Sequence, residues 1–134
     1  MTPEIQFDAA CLLAIAARSD GSIATQETER LVSALQRGFA MSEGVALQLV
    51  MRALHDAPDT QGFATLMRNL EPALDKKQKE SLIVMLLEVV AADGVKDVRE
   101  ISVLDRAITG LKVSDASMDR VYRSYFAQRQ SAST

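Results

Sequence analysis

One cysteine, one histidine and no long apolar run set the first limits on this 134-residue chain. Cys11 alone can form neither an intrachain disulfide nor a multi-cysteine metal centre, and its apolar helical surroundings mark it as a buried, reduced thiol of a cytoplasmic protein. His55, followed by Asp56, has no identifiable nucleophile to serve, so helix-end chemistry is expected of it and not a catalytic pair. Positive charge is not in excess: a net charge of -3 and a pI near 5.1 give no chain-wide reason to hold nucleic acid or anionic lipid. The apolar segment SLIVMLLEVVAAD is interrupted by Glu88 and ends at Asp93 before it could span a bilayer. The apolar run near the N-terminus has acids ahead of it and no basic leader region. Neither membrane insertion nor a signal peptide is therefore expected, which still leaves a membrane protein open as a partner.

What is present is helical spacing almost everywhere, with no convincing strand alternation. Phe63, Leu66, Met67, Leu70 and Leu74 follow one amphipathic series without a gap. Six further stripes are Ile5, Ala9, Leu12, Ala16; Leu31, Leu35, Phe39; Val45, Leu49, Ala53; Leu82, Leu86, Val89; Ile101, Leu104, Ile108; and Met118, Val121, Tyr122, Tyr125. Start signals agree with that count. Thr2-Pro3-Glu4 opens the first helix, Asp75 to Gln78 and Asp97 to Glu100 read as capping boxes, and Ser42 and Ser114 read as N-caps. An apolar share of 48% and a charged share of 25% are ordinary globular values. The expectation is an all-α fold: a single compact domain of about seven helices over residues 1–128, with a disordered tail, RQSAST, over residues 129–134.

A weak internal repeat organises these helices. Aligning Asp20 with Asp93 pairs Gly21 with Gly94, Glu27 with Glu100, Leu31 with Leu104 and Leu35 with Ile108. A one-residue shift then brings FAMS (39–42) beside LKVS (111–114). The repeated unit is a helix, an Asp-Gly turn, a second helix and a Ser-capped start of a third.

The Asp-Gly turns can be explained without a ligand, because glycine suits the left-handed residue after a helix and an acid suits the first turn of the next. They can also be read as cation sites, since an Asp at one helix end and a Glu in the following first turn converge on a small volume. Asp93, Asp97 and Glu100 form an oxygen-rich set suited to Ca²⁺ or Mg²⁺; the first copy, with Asp20, Ser22, Thr25, Glu27 and Glu29, is less charged, because Ala24 stands where Asp97 stands. The alternate acids and mid-loop glycine of an EF-hand are missing.

The paired segments SDGSIATQETERL and ADGVKDVREISVL resemble the duplicated Asp-Gly…Glu motif of the TerB-like family, associated with tellurite resistance and similar to the N-terminal domain of DjlA-type membrane cochaperones. The resemblance implies a compact all-helical domain, and it implies divalent-cation binding by Asp20 and Glu27 in one copy and Asp93 and Glu100 in the other. Asp97 is added on local geometry. The function expected is a non-enzymatic cytoplasmic adaptor or scaffold of tellurite-resistance or stress-response type, with a protein partner of unknown identity. A cochaperone-like peptide-binding module that needs no metal is the alternative. A small Mg²⁺-dependent hydrolase is a third class, lacking an identifiable base and nucleophile. Direct tellurite reduction would call for more than one thiol.

Three other segments have ordinary explanations. DRVYRSYFAQR mixes arginines with aromatics, but helical spacing directs Val121, Tyr122 and Tyr125 to the core and the arginines to solvent, against base stacking. LDKKQKES reads as a solvated helix start with room for a weak anionic contact. Glu88 interrupts an apolar run, either on an exposed edge or as a polar position in a partner-binding groove.

Overall fold

Side-chain N-caps account for where four of the helices start. This computed structural model describes residues 2–17, 25–56, 62–91 and 98–132. In them run α1 (Pro3–Ala17), α2 (Thr25–Phe39), α3 (Glu43–Asp56), α4 (Gly62–Ala73), α5 (Lys76–Ala91), α6 (Val98–Gly110) and α7 (Asp115–Ala132), and no strand occurs among the described residues. Thr2 Oγ1 accepts the Ile5 N–H at 3.2 Å, Ser42 Oγ the Val45 N–H at 3.3 Å, and Ser114 Oγ the Ser117 N–H at 3.2 Å. Before α5 the box is reciprocal: Asp75 accepts from the Gln78 N–H at 2.8 Å and Gln78 Oε1 accepts from the Asp75 N–H at 3.0 Å. Each satisfies donors that the first turn of a helix leaves without partners.

One core draws on all seven helices. Its centre is α1, where Ala9 to Ala14, Ala16 and Ala17 are all buried. The stripe expected from Ile5, Ala9, Leu12 and Ala16 is therefore only part of the buried surface. Helix α1 packs against α2, α3, α4, α5 and α6, which from Ala9 onward cover it on nearly every side. Two other expectations change by one helical position: Val45 and Tyr122, assigned to core stripes, are exposed, while Ala46 and Val50 are buried. Helix α7 continues through Ala132, into the stretch expected to be a disordered tail; Ala127, Gln128, Arg129 and Gln130 are good helix formers and extend its backbone ladder.

Part of the packing follows the repeat seen in the sequence and part does not: α2 packs closely on α3, whereas their counterparts α6 and α7 make little contact among the described residues. If α1 and α2 correspond to α5 and α6, the pair α1–α3 corresponds to α5–α7, and α1–α6 to α5–α2; all four pairs are in contact. The connections match in backbone detail as well. Ala40 and Lys112 adopt left-handed φ values of 55° and 57°, and each stands two residues before the serine that caps the next helix. At the second connection the Val113 N–H reaches the Ile108 carbonyl and the Lys112 N–H the Thr109 carbonyl, both at 3.1 Å. This is a complete Schellman ending with lysine at the position that usually takes glycine.

Tight approaches and cation–π contacts fix neighbouring helices. The missing side chain of Gly38 on α2 leaves room for the buried Met85 of α5, and Gly110 on α6 does the same for Met67 of α4. Arg52 lies 4.5 Å from the Phe7 ring centroid and Arg106 lies 4.4 Å from that of Phe63.

Candidate functional site

Of the five acids expected to hold a cation, Asp20, Asp93 and Asp97 lie outside the described residues, as do Gly21 and Gly94. Glu27 and Glu100 fall in helices, and the structure gives them equivalent places: each is the third residue of its helix, α2 and α6 respectively. The first turn of a helix favours an acid with or without an ion. Helices α1 and α5, which lead into the two turns, pack on one another, and each also touches the helix that leaves the other turn. A constraint applied at either turn is thus applied to both halves of the molecule.

Several other titratable groups have structural partners. Cys11 is 2% exposed, and burial first, then the charges of Asp8 and Asp56, push its thiol up to about 11, with Arg52 opposing. That is a packed thiol and not a nucleophile. His55 Nδ1 meets Asp56 Oδ1 at 2.6 Å on the exposed end of α3. Burial raises the Asp8 carboxyl, opposed by a hydrogen bond to Asn69 that links α1 to α4. Glu88 is neither a free edge nor a groove residue: its side chain is 20% exposed and accepts from Arg37 of α2 at 2.7 Å, so the interruption in the apolar run is an interhelix tie. Burial raises its carboxyl, and the Arg37 guanidinium partly reverses that. Arg120 donates to Glu80 at 2.9 Å, consistent with a solvated face for the arginines of α7.

Two surface features went unread in the sequence, and a third was read only in its LDKKQKES half. Leu47 and Met51, one turn apart on α3, are 45% and 56% exposed. A shallow, mostly apolar groove of about 550 Å³ runs between α4 and α6, lined by Phe63, Met67, Arg68, Arg106 and Gly110 among others. A basic cavity forms where α5 begins beside the α6–α7 connection. Leu47 and Met51 could have been found as apolar residues off the Ala46, Leu49, Val50 and Ala53 face. The other two features depend on which helices meet, which periodicity does not report.

A family model described as "Tellurite resistance protein TerB" matches residues 6–123, nearly the whole chain and both Asp-Gly segments. The chain belongs to the TerB family. No curated protein and no solved structure matches it significantly. The all-helical expectation for a TerB protein holds here, and no described helix is long and apolar enough to cross a membrane.

Proposed function

We propose that this TerB-family protein is a non-enzymatic cytoplasmic adaptor of tellurite-resistance or stress-response type. In this reading Ca²⁺ or Mg²⁺ is held by Asp93, Asp97 and Glu100, and more weakly by Asp20 and Glu27. The observation that carries it is the family match across both Asp-Gly segments, joined to the equivalent placing of Glu27 and Glu100 as third residues of α2 and α6. Hard, oxygen-only ligand sets suit these cations. A cation bridging a helix end to the next helix start would stiffen the two-helix unit. Because α1–α2 and α5–α6 are interleaved, that stiffening would bias the surface offered to a protein partner.

Isothermal titration of metal-stripped protein with Ca²⁺ and with Mg²⁺ tests it. Saturable binding that weakens more than about tenfold in Asp93→Asn or Glu100→Gln supports the site. Titration heats no different from dilution, or affinities unchanged by both substitutions, refute it. The exposed pair Leu47 and Met51 on α3 favours a second reading, a peptide-binding module with no need of metal. Peptide binding that survives EDTA and is lost in Met51→Glu would select it.

A further inference from the structure

Two apolar surfaces lie open on this chain, one convex and one concave. On α3, Leu47 and Met51 stand one turn apart, 45% and 56% exposed, and form a ridge. The concave surface is the shallow, mostly apolar groove of about 550 Å³ between α4 and α6. Phe63 and Met67, also one turn apart, line it from below, so ridge and groove share a rise of about 6 Å. Seating the i, i+4 ridge of one helix in the groove of another is the commonest way that helices pack. Within one copy the two surfaces are separate: α3 packs on α1 and α2, whereas α4 packs on α1 and α6.

Charge and backbone size agree with the match in shape. The groove carries Arg68 and Arg106 against a single acid, Asp105. Arg106 is held over the Phe63 ring, and Arg68 is exposed with no ion-pair partner among the described residues. Glu43, one turn before Leu47, is an exposed acid that also has no ion-pair partner among the described residues, so the ridge brings negative charge to a positive rim. Gly44 lies on the same face, three residues before Leu47 and seven before Met51. Gly38 and Gly110 each make room for a methionine of their own chain, but a Cβ on Gly44 would meet nothing within 4 Å. Glycine weakens a helix, and the chain's own packing does not require it there; what it provides is room for a second backbone.

We propose that the α3 ridge of one copy docks in the α4–α6 groove of a second copy, so that the protein self-associates head to tail. Because ridge and groove are different surfaces, each added copy leaves one of each open, and the assembly grows into a ring or a filament instead of stopping at two. The contact is small, which places the association in the weak, transient class. It needs no cation, so its outcome is separate from that of the Ca²⁺ and Mg²⁺ titration.

Sedimentation velocity of the full chain in EDTA, from about 5 μM to about 500 μM, tests it. The weight-average mass should rise above 14.6 kDa and pass twice that value, with half-association at roughly 10–100 μM. Met51→Glu puts a carboxylate on the ridge and Ala64→Glu puts one at the groove. Both positions are exposed, so each variant should melt near the parent, and each alone should associate at least about tenfold more weakly. An equimolar mixture of the two should form a 1:1 dimer and grow no further, because one variant still offers a groove and the other a ridge. A parent that stays monomeric to about 500 μM overturns the proposal and leaves both surfaces to a foreign protein. A dimer lost in Met51→Glu but kept in Ala64→Glu, or a mixture that fails to associate, overturns it in favour of a symmetric contact through α3.

Discussion

Replacing Gly38 by alanine should destabilise the protein, whereas the same change at Gly44 should stabilise it slightly. A Cβ built on Gly38 would lie 2.7 Å from Cγ and 3.2 Å from Cε of Met85, and closer still to its sulfur. Met85 is itself buried in the core and has little space into which to withdraw. Overpacking of this kind costs about 1–3 kcal/mol. Alanine returns about 1 kcal/mol of helix propensity. With three side-chain atoms crowded the upper end applies, and the net loss is about 2 kcal/mol, or about 6–10 °C in melting temperature for a chain of this size. At Gly44 the added methyl meets nothing within 4 Å, so only the backbone gain of about 0.5 kcal/mol remains. Thermal and urea unfolding of both variants would measure the difference. A double-mutant cycle isolates the cause: in a Met85→Ala background, Gly38→Ala should become neutral or favourable, a coupling of about 2 kcal/mol. If both glycine variants shift stability in the same direction, or the cycle shows no coupling, the close approach of α2 to α5 is not what the glycine provides.

Three further outcomes follow from geometry already described. Ala40→Gly and Lys112→Gly should each raise stability by about 1 kcal/mol in urea titrations, because both relieve a left-handed residue; a loss at either position would contradict the left-handed conformation. Native protein should react with a thiol reagent at pH 8 more than about a hundredfold more slowly than free cysteine, given a Cys11 thiol near 11, and labelling at the free rate would refute its burial. Glu88 has a folded-state pKa above its unfolded value, so its contribution is fully present at pH below the ordinary carboxylate range and is lost as pH rises through the folded value; relative to Glu88→Gln, the parent should lose stability across that window, and a gain there would reverse the assignment.

The helix starts were legible because a cap is a local event. Thr2, Ser42, Asp75 and Ser114 each act on an N–H three residues away, and all four make the bonds their spacing implies. The Phe63 to Leu74 stripe was legible for a similar reason, since its large side chains alternate sharply with polar ones and all five are buried. Helix α1 defeats the same reasoning. Its alanines give no contrast between faces, so a helix buried all round looks like one with a single stripe. Val45 and Tyr122 show the other limit, because residues at the margin of a stripe are assigned by neighbours on other helices. Glu88 meets Arg37 across 51 positions, a distance no local pattern reports. The left-handed Ala40 and Lys112 carry no glycine to mark them; the recurrence of FAMS as LKVS was the available signal. For the acids, sequence spacing put Glu27 and Glu100 at matching helix positions, and the chemistry of Asp20, Asp93 and Asp97 rests on the binding experiment.

The central position of α1 sets a problem of timing for the cell. This helix is synthesised before every other helix that covers it, and α5, one of its main covers, begins only at Lys76, roughly 60 residues later. At about 5–20 residues per second, its leucines and alanines spend several seconds without their final neighbours. The nascent chain is therefore most exposed to aggregation through the segment that ends up most protected, and substitutions in α3 to α5 that slow docking onto α1 should reduce soluble yield before they reduce the stability of the finished fold.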